Sequence, residues 1–382
     1  MQLISTTAEL QRATDLVSGE PFIAVDTEFM RESTYWPKLC LLQFAGEKGG
    51  HLVDTLAPGL DLAPFVALLD RPDLIKVFHA ARQDIEIFYH LSGRTPRNVF
   101  DTQIAGMVCG HGESISYENL IRETTGHAVD KSSRFTDWSR RPLSEKQLVY
   151  ALGDVTHLRE AYLVLKAQIE ERGRADWIAE EMAELVDPAL YAVNPEESWR
   201  RLKVRTGSRK FFAVLKTLAA WREHEAQARD VPRQRVLKDD AVLDVAGHAP
   251  RSIAELDGLR SIPRGFAQSR SGAAIIEAVA QGLALPADKI PQPDRHERLP
   301  EVDPSIAEAF KLLLKLRAEE ADVAPRLIAN ASDLDKLAAL KDPDIHALQG
   351  WRFDVFGAAA LDLKAGKLAL KIDGGKLVSF QP

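Results

Sequence analysis

The stretch Phe22-Ile23-Ala24-Val25-Asp26-Thr27-Glu28-Phe29 constrains this chain more than any other. Four apolar or small residues read as a short buried strand, and strand alternation then puts Asp26 and Glu28 on one face. Two carboxylates roughly 7 Å apart repel each other and lose hydration in a cleft, so they persist mainly where a cation sits between them. The plainer reading is a strand end whose acids cap a turn in water. What decides between them is whether later segments supply partners.

At 382 residues the chain exceeds one ordinary domain, and about 150 residues per domain gives two or three. The net charge of −7 offers no overall sign of a nucleic-acid partner, so charge has to be read segment by segment. Only Cys40 and Cys109 occur, which argues against a disulfide framework and against cysteine ligation of a metal, and for a reducing compartment. The N-terminus lacks the basic-then-apolar pattern of a secretion signal, and no run approaches the ~18 apolar residues of a membrane span. A soluble, cytoplasmic protein with no membrane association is expected.

After the opening strand, residues 39–45 read as a second strand, Gly49-Gly50 as a turn and residues 51–53 as a third strand. Residues 61–70 read as a helix, 74–78 as a strand, 80–91 as a helix and 98–100 as a strand, with a further helix from about Asp101. Three strands in a run, then strands alternating with helices, predict a mixed α/β sheet with flanking helices. No G-x-G-x-x-G follows the first strand, so a dinucleotide fold lacks its fingerprint. Within 80–91, Asp84 shares a helix face with Phe88 and Leu91, which turns an acid towards the protein. Further on, Pro142 and the capping box Ser144-x-x-Gln147 start a helix that runs to about Glu171. On it Tyr150 and Asp154, four apart, project together beside the apolar Leu148, Leu152 and Val155.

Asp26, Glu28, Asp84 and Asp154 are thus four acids from three separated elements, with no Cys or His cluster expected near them. Such hard oxygen donors select Mg²⁺ or Mn²⁺. The pattern Val25-Asp26-Thr27-Glu28-Phe29, then Val77-Phe78-His79-Ala80-Ala81-Arg82-Gln83-Asp84-Ile85, then Tyr150-x-x-x-Asp154 resembles the three exonuclease motifs of the DEDD superfamily in its tyrosine branch. His157 stands in the wrong place for the histidine branch. The stretches Phe100-Asp101-Thr102-Gln103-Ile104-Ala105 and residues 136–144 resemble the ribonuclease D family specifically, and the likeness extends over about residues 1–280.

The resemblance implies a ribonuclease-H-like exonuclease domain that hydrolyses single-stranded RNA ends from 3′ to 5′ with two divalent ions, Mg²⁺ or Mn²⁺. By similarity Asp26 bridges both ions, Glu28 and Asp154 complete the one that holds the attacking water, Asp84 supports the other, and Tyr150 orients the water. A phenol with an ordinary pKa near 10 is a poor base at neutral pH. Thr27 and His79, inside the motifs, are candidates for holding the terminal nucleotide. Transfer RNA precursors are the implied substrates, and no obligate protein partner is evident. A DNA-directed exonuclease and a non-catalytic RNA-binding adaptor are the alternatives.

The second half reads as helical. Between Arg200 and Lys238 there are twelve Lys or Arg against three acids, a local +9, and phosphate contact is expected there, with Arg205, Arg209 and Lys210 as candidate RNA-binding residues. Phe211, Phe212 and Trp221, at helical spacing, read as core. The run from Trp221 through Asp230-Val231-Pro232-Arg233 to Leu243 resembles the small helical HRDC module. An echo follows, Leu316-Arg317-x-x-Glu320-Ala321-Asp322-Val323-Ala324-Pro325-Arg326, without the positive charge, so packing rather than RNA contact is expected of it. The expected organisation is an exonuclease domain over 1–194, an HRDC-like module over 195–285, a proline-rich linker over 286–304 and a diverged second module over 305–382. Residues 368–372 and 377–380 around Gly374-Gly375 read as a small closing hairpin.

Overall fold

The computed structural model describes residues 3–130, 132–134, 136–204, 206–292 and 299–382. They pack as two units, one built from residues 3–28, 39–190 and 299–382, the other from 29–38 and 191–292.

The first unit is organised on a six-stranded sheet of β1 (Leu3–Ile4), β2 (Phe22–Met30), β3 (Lys38–Gly46), β4 (Gly49–Val53), β5 (Ile75–Phe78) and β6 (Val99–Asp101), in the order β1-β4-β3-β2-β5-β6. β3 and β4 form an antiparallel hairpin, while β2, β5 and β6 run parallel, with Ala24 opposite Val77 and Phe78 opposite Asp101. The expected mixed sheet is therefore present. Two early elements, β1 and α1 (Thr7–Val17), had no clear strand or helix reading, and Gly49-Gly50 opens β4 rather than forming the turn. The remaining helices of this segment are α2 (Ala63–Leu69), α3 (Arg82–Ser92), α4 (Thr102–Val108), α5 (Tyr117–Thr125), α6 (Glu145–Glu171) and α7 (Ala175–Leu185).

α6 is the long helix that closes over the sheet. Its Val155, Leu158 and Tyr162 pack with Phe22, Ala24, Ala45 and Val77, and the Tyr162 and Phe22 rings are 4.5 Å apart. A side chain at Gly50 would put its Cβ 2.4 Å from Leu152 Cδ1, so glycine is what lets α6 approach β4. The capping box at Ser144 is formed as expected. On α3 the inward face carries Asp84, Ile85, Ile87 and Phe88, but Leu91, expected beside them, is 48% exposed. α3 ends one residue after it, at Ser92 with Gly93 as left-handed cap, where the core no longer reaches.

The C-terminal helices join this unit. α13 (Pro304–Ala321), α14 (Pro325–Ile328), α15 (Ala331–Ala339), α16 (Gly350–Arg352) and α17 (Ala358–Lys364) enclose a core of their own around Phe310, Leu313, Leu337 and Phe356, after which β7 (Ala369–Asp373) and β8 (Lys376–Phe380) pair as a hairpin. Pro304, expected in the linker, instead occupies the first turn of α13, where its missing N–H is harmless. This module is fastened to α7 by unlike forces side by side. The Trp177 and Trp351 rings stack at 4.1 Å and 12°. Arg352, buried, lies 3.0 Å from Glu180 Oε1, pairs with Glu181 and donates to the Leu327 carbonyl at 2.7 Å. Arg172 reaches Asp322 at 2.6 Å, and the Ala324 amide donates to Met107 O at 3.0 Å.

The second unit holds α8 (Arg209–Ala228), α9 (Arg233–Val236), α10 (Asp239–His248), α11 (Ile253–Asp257) and α12 (Arg270–Leu283). Phe212 is buried among Leu215, Leu218, Val242 and Ile275, and Phe211 and Trp221 pack against the same core, as their spacing suggested. The segment 29–38, which follows Glu28 in the chain, is gripped here. The Tyr35 hydroxyl donates to the buried Glu223, Arg233 pairs with the same carboxylate, and Asp230 accepts from the Tyr35 and Trp36 amides at 3.0 Å each.

Truncating Arg352 leaves the half-buried Glu181 without its cation, a change worth about 2 kcal/mol. Arg352→Ala is expected to lower the denaturant midpoint, with tryptophan fluorescence reporting the loss of the Trp177–Trp351 stack. An unchanged midpoint would show that the ion pairs do not fasten the module.

Candidate active site

The parallel strands β2, β5 and β6 deliver their carboxyl ends to one edge of the sheet, the usual place for a site in α/β architecture. Asp26 and Glu28 lie there on β2, just past its residues paired with β5, both half-buried. Thr27 between them is buried, and its hydroxyl donates to Asp84 Oδ1. Asp84 sits in the first turn of α3, where the helix dipole favours a carboxylate. Asp154 approaches from α6 and is buried. Ligand-capable oxygens of Asp26, Glu28 and Asp154 lie within 4.8 Å of one another, and Asp84 joins them through Thr27.

The electrostatics of this cluster are severe. Burial pushes Asp26 up to about 6. Burial first, and then Asp26, Asp154 and Asp84, push Glu28 up to about 10. Burial and the charge of Asp26 carry Asp84 and Asp154 well above the usual carboxylate range. Arg134 works the other way on Glu28 and Asp154. Asp154 Oδ1 is enclosed and has no hydrogen-bond partner within the protein. An orphaned buried oxygen among crowded carboxylates fits a hard divalent cation, and these residues are the ones that would hold it.

Tyr150 stands one turn before Asp154 on the same face of α6, its hydroxyl close enough to influence that carboxylate. Burial, and then Asp154, Glu28 and Asp26, raise its pKa far above the ordinary phenol value, so the hydroxyl stays protonated and serves as a donor. The buried Trp138 ring lies 6.1 Å from it. Trp138 is held in turn by Arg141, which donates to the Trp138 carbonyl at 2.8 Å while bonding both oxygens of Asp54 at 2.6 and 2.9 Å.

Two positioning groups had no role assigned from spacing. Asp101, at the end of β6, accepts from the amides of Ala80 at 3.0 Å and Ala81 at 2.8 Å. It also caps α4 through Gln103 at 2.8 Å. It thereby pins the turn into α3, where Ala80 has a left-handed φ of 58°. Tyr117 donates to the Asp154 carbonyl at 2.6 Å and fixes α6 at its acid. Asp101 had a visible signal, an acid before an apolar helical run, which is an N-cap pattern. Tyr117 and Arg134 had none.

The candidates for nucleotide contact fare differently. The Thr27 hydroxyl is committed to Asp84. His79 is turned inward, with Nδ1 3.0 Å from Thr102 Oγ1 and an edge-on contact with Tyr117. Burial lowers its pKa to about 4, so it is a neutral link between α3's turn and α4 rather than an open contact for a nucleotide. Arg205 lies outside the described residues. Arg209 and Lys210 are exposed at the start of α8, and Arg209 donates to the Ala287 carbonyl at 2.6 Å. The local +9 overstates the free positive surface. Arg200 pairs with Glu197 and Arg222 with Asp239, acids just outside the counted window, and Arg229 and Arg233 pair with Glu225 and Glu223.

Residues 1–170 match the 3′-5′ exonuclease family, and residues 211–279 match the HRDC domain. Ribonuclease D of Gluconacetobacter diazotrophicus is 49% identical over 98% of this chain and 95% of its own length. That of Nitrobacter hamburgensis is 48% identical over the whole of both. Among solved structures, Escherichia coli RNase D, described as an exoribonuclease involved in structured RNA processing, superposes with a TM-score of 0.79 at 29% identity, covering 95% of this chain and 98% of that one. The likeness thus continues past residue 280, through the second helical module. Full-length identity of this degree, on a sheet that gathers the expected carboxylates at one edge, places the chain in the ribonuclease D family of 3′-to-5′ exoribonucleases.

Proposed function

We propose that this exoribonuclease trims the 3′ ends of structured RNAs, with transfer RNA precursors as its main substrates, using two Mg²⁺ or Mn²⁺ ions held by Asp26, Glu28, Asp84 and Asp154. The observation that carries the site assignment is the clustering of three carboxylates within 4.8 Å around a partnerless buried oxygen of Asp154. Divalent ions held by these residues would activate water for attack and offset the charge on the leaving 3′ oxygen. The remaining work falls to the chain. Tyr150, kept protonated by its acidic surroundings, donates a hydrogen bond that orients the attacking water. Arg134 offsets negative charge beside Glu28 and Asp154. Thr27 holds one Asp84 oxygen and so directs the other. The exposed Arg209 and Lys210, with Arg205, are proposed to meet RNA phosphates, and a strong salt dependence of binding accompanies that role.

On 5′-labelled RNA with an unstructured 3′ tail, a ladder shortening from the 3′ end is expected, abolished by chelator and by Asp26→Asn. Retention of intact RNA would favour the adaptor, and shortening of matched DNA alone would favour the DNA exonuclease. A transfer RNA precursor with a 3′ extension should be shortened faster than an unrelated stem with the same tail, and equal rates would remove the substrate assignment. Tyr150→Phe is expected to slow turnover about 10²-fold while leaving Mg²⁺ affinity nearly unchanged. Equal turnover would remove Tyr150 from the mechanism.

The acids also set a pH dependence. Because the folded pKa of Asp26 is raised to about 6 and that of Glu28 to about 10, the cation-free protein holds extra protons when folded. Stability contributed by these groups is full below about pH 4 and is lost as pH rises through about 6 and then towards 10. Metal binding replaces those protons, so the rise in melting temperature on adding Mg²⁺ should be larger at about pH 8 than at about pH 5.5. A larger rise at the lower pH would contradict the assignment of the acids as ligands.

A further inference from the structure

α6 carries a second group of metal-capable side chains beyond Asp154. His157 and Glu160 are three residues apart and so share a helix face. His127 comes to meet them from the segment that follows α5, directly after its left-handed cap Gly126. One ligand-capable atom from each of the three lies within 4.8 Å of the others. His127 Nε2 is 3.3 Å from Glu160 Oε2, and the two imidazole centroids are 5.1 Å apart.

An exposed histidine–glutamate ion pair explains little of this, because such a pair contributes at most about 1 kcal/mol and makes no use of His157. His157 is the telling member. Its Nδ1 is enclosed and has no hydrogen-bond partner, an arrangement that a buried ring nitrogen avoids unless something else occupies it. Burial, and then the neighbouring His127, lower its pKa, which keeps the ring in the neutral form that binds metals. Of the three, His157 also lines an open cavity of about 420 Å³ together with Val129, Tyr150 and Gly153.

The donor set differs in kind from the carboxylate cluster. Two imidazoles and one carboxylate suit a borderline cation such as Zn²⁺, and three protein ligands leave a position for water. We propose that His127, His157 and Glu160 form a binding site for one Zn²⁺-class cation, distinct from the carboxylate cluster, which when filled ties the segment after α5 to the helix that carries Tyr150 and Asp154. That segment leads to Arg134, which acts on Glu28 and Asp154, and to Trp138, which lies against Tyr150. Occupation therefore restrains the chain that completes the cluster's surroundings.

The test is calorimetric titration of Zn²⁺ into chelator-stripped protein in excess Mg²⁺, which competes for the carboxylate cluster, with Co²⁺ absorption as a second probe and Asp26→Asn separating the two sites. One equivalent is expected for the unaltered protein and for Asp26→Asn. His127→Ala and Glu160→Gln, both at exposed positions, should each weaken that binding more than about tenfold, and His127→Ala should also weaken the Co²⁺ absorption that imidazole ligation gives. Zn²⁺ binding that survives both substitutions, that is lost in Asp26→Asn instead, or that is absent from the unaltered protein overturns the proposal.

Discussion

Loss of hydration at four crowded carboxylates, with repulsion among them adding to it, is the constraint around which the active site is built. Asp26, Glu28, Asp84 and Asp154 come from β2, α3 and α6, and each is pushed towards its neutral form by burial and, in most cases, by the charge of its neighbours. A fold that only had to be stable would replace such a cluster with apolar side chains, since uncompensated buried charge is among the largest penalties a protein can carry. Holding the cluster together therefore requires rigid support around it and compensation of its charge, by protons or by a cation. Much of the surrounding structure supplies that support.

Asp101 is an example of such support at one remove. By accepting the amides of Ala80 and Ala81 it stabilises a left-handed residue that few side chains tolerate, and so sets where α3 begins and where Asp84 points. Tyr117 does the equivalent for Asp154 through its carbonyl, and Arg141 for Tyr150 through Trp138. None of these groups needs to touch RNA. Their substitution would act on the position of the acids rather than on their chemistry.

The helical modules divide between the two units in an order that does not follow the chain. Residues 299–382 return to the exonuclease unit and are fastened to α7 by Arg352 and the Trp177–Trp351 stack. Residues 29–38, by contrast, are gripped by the intervening helices through Tyr35, Glu223 and Asp230. The segment held in this way begins directly after Glu28.

Period and spacing alone determined which residues share an element's face. Asp26 and Glu28 had to project together from a strand, Tyr150 and Asp154 had to project together from a helix, and Ser144 with Gln147 had to cap that helix, because these relations are set within a few residues of backbone. The run of strands followed by alternating strands and helices likewise made a mixed sheet legible. What only tertiary structure decided is which distant groups answer them. Thr27 turned out to serve Asp84, His79 faced inward, Leu91 lay beyond the reach of the core, and basic residues between 200 and 238 found acids that a window count had excluded. Arg134 entered the site from a segment with no regular element, and Tyr117 from the first turn of α5, whose spacing said nothing of α6. A side chain's partner across the fold depends on how whole elements pack, and local sequence spacing carries no record of that distance.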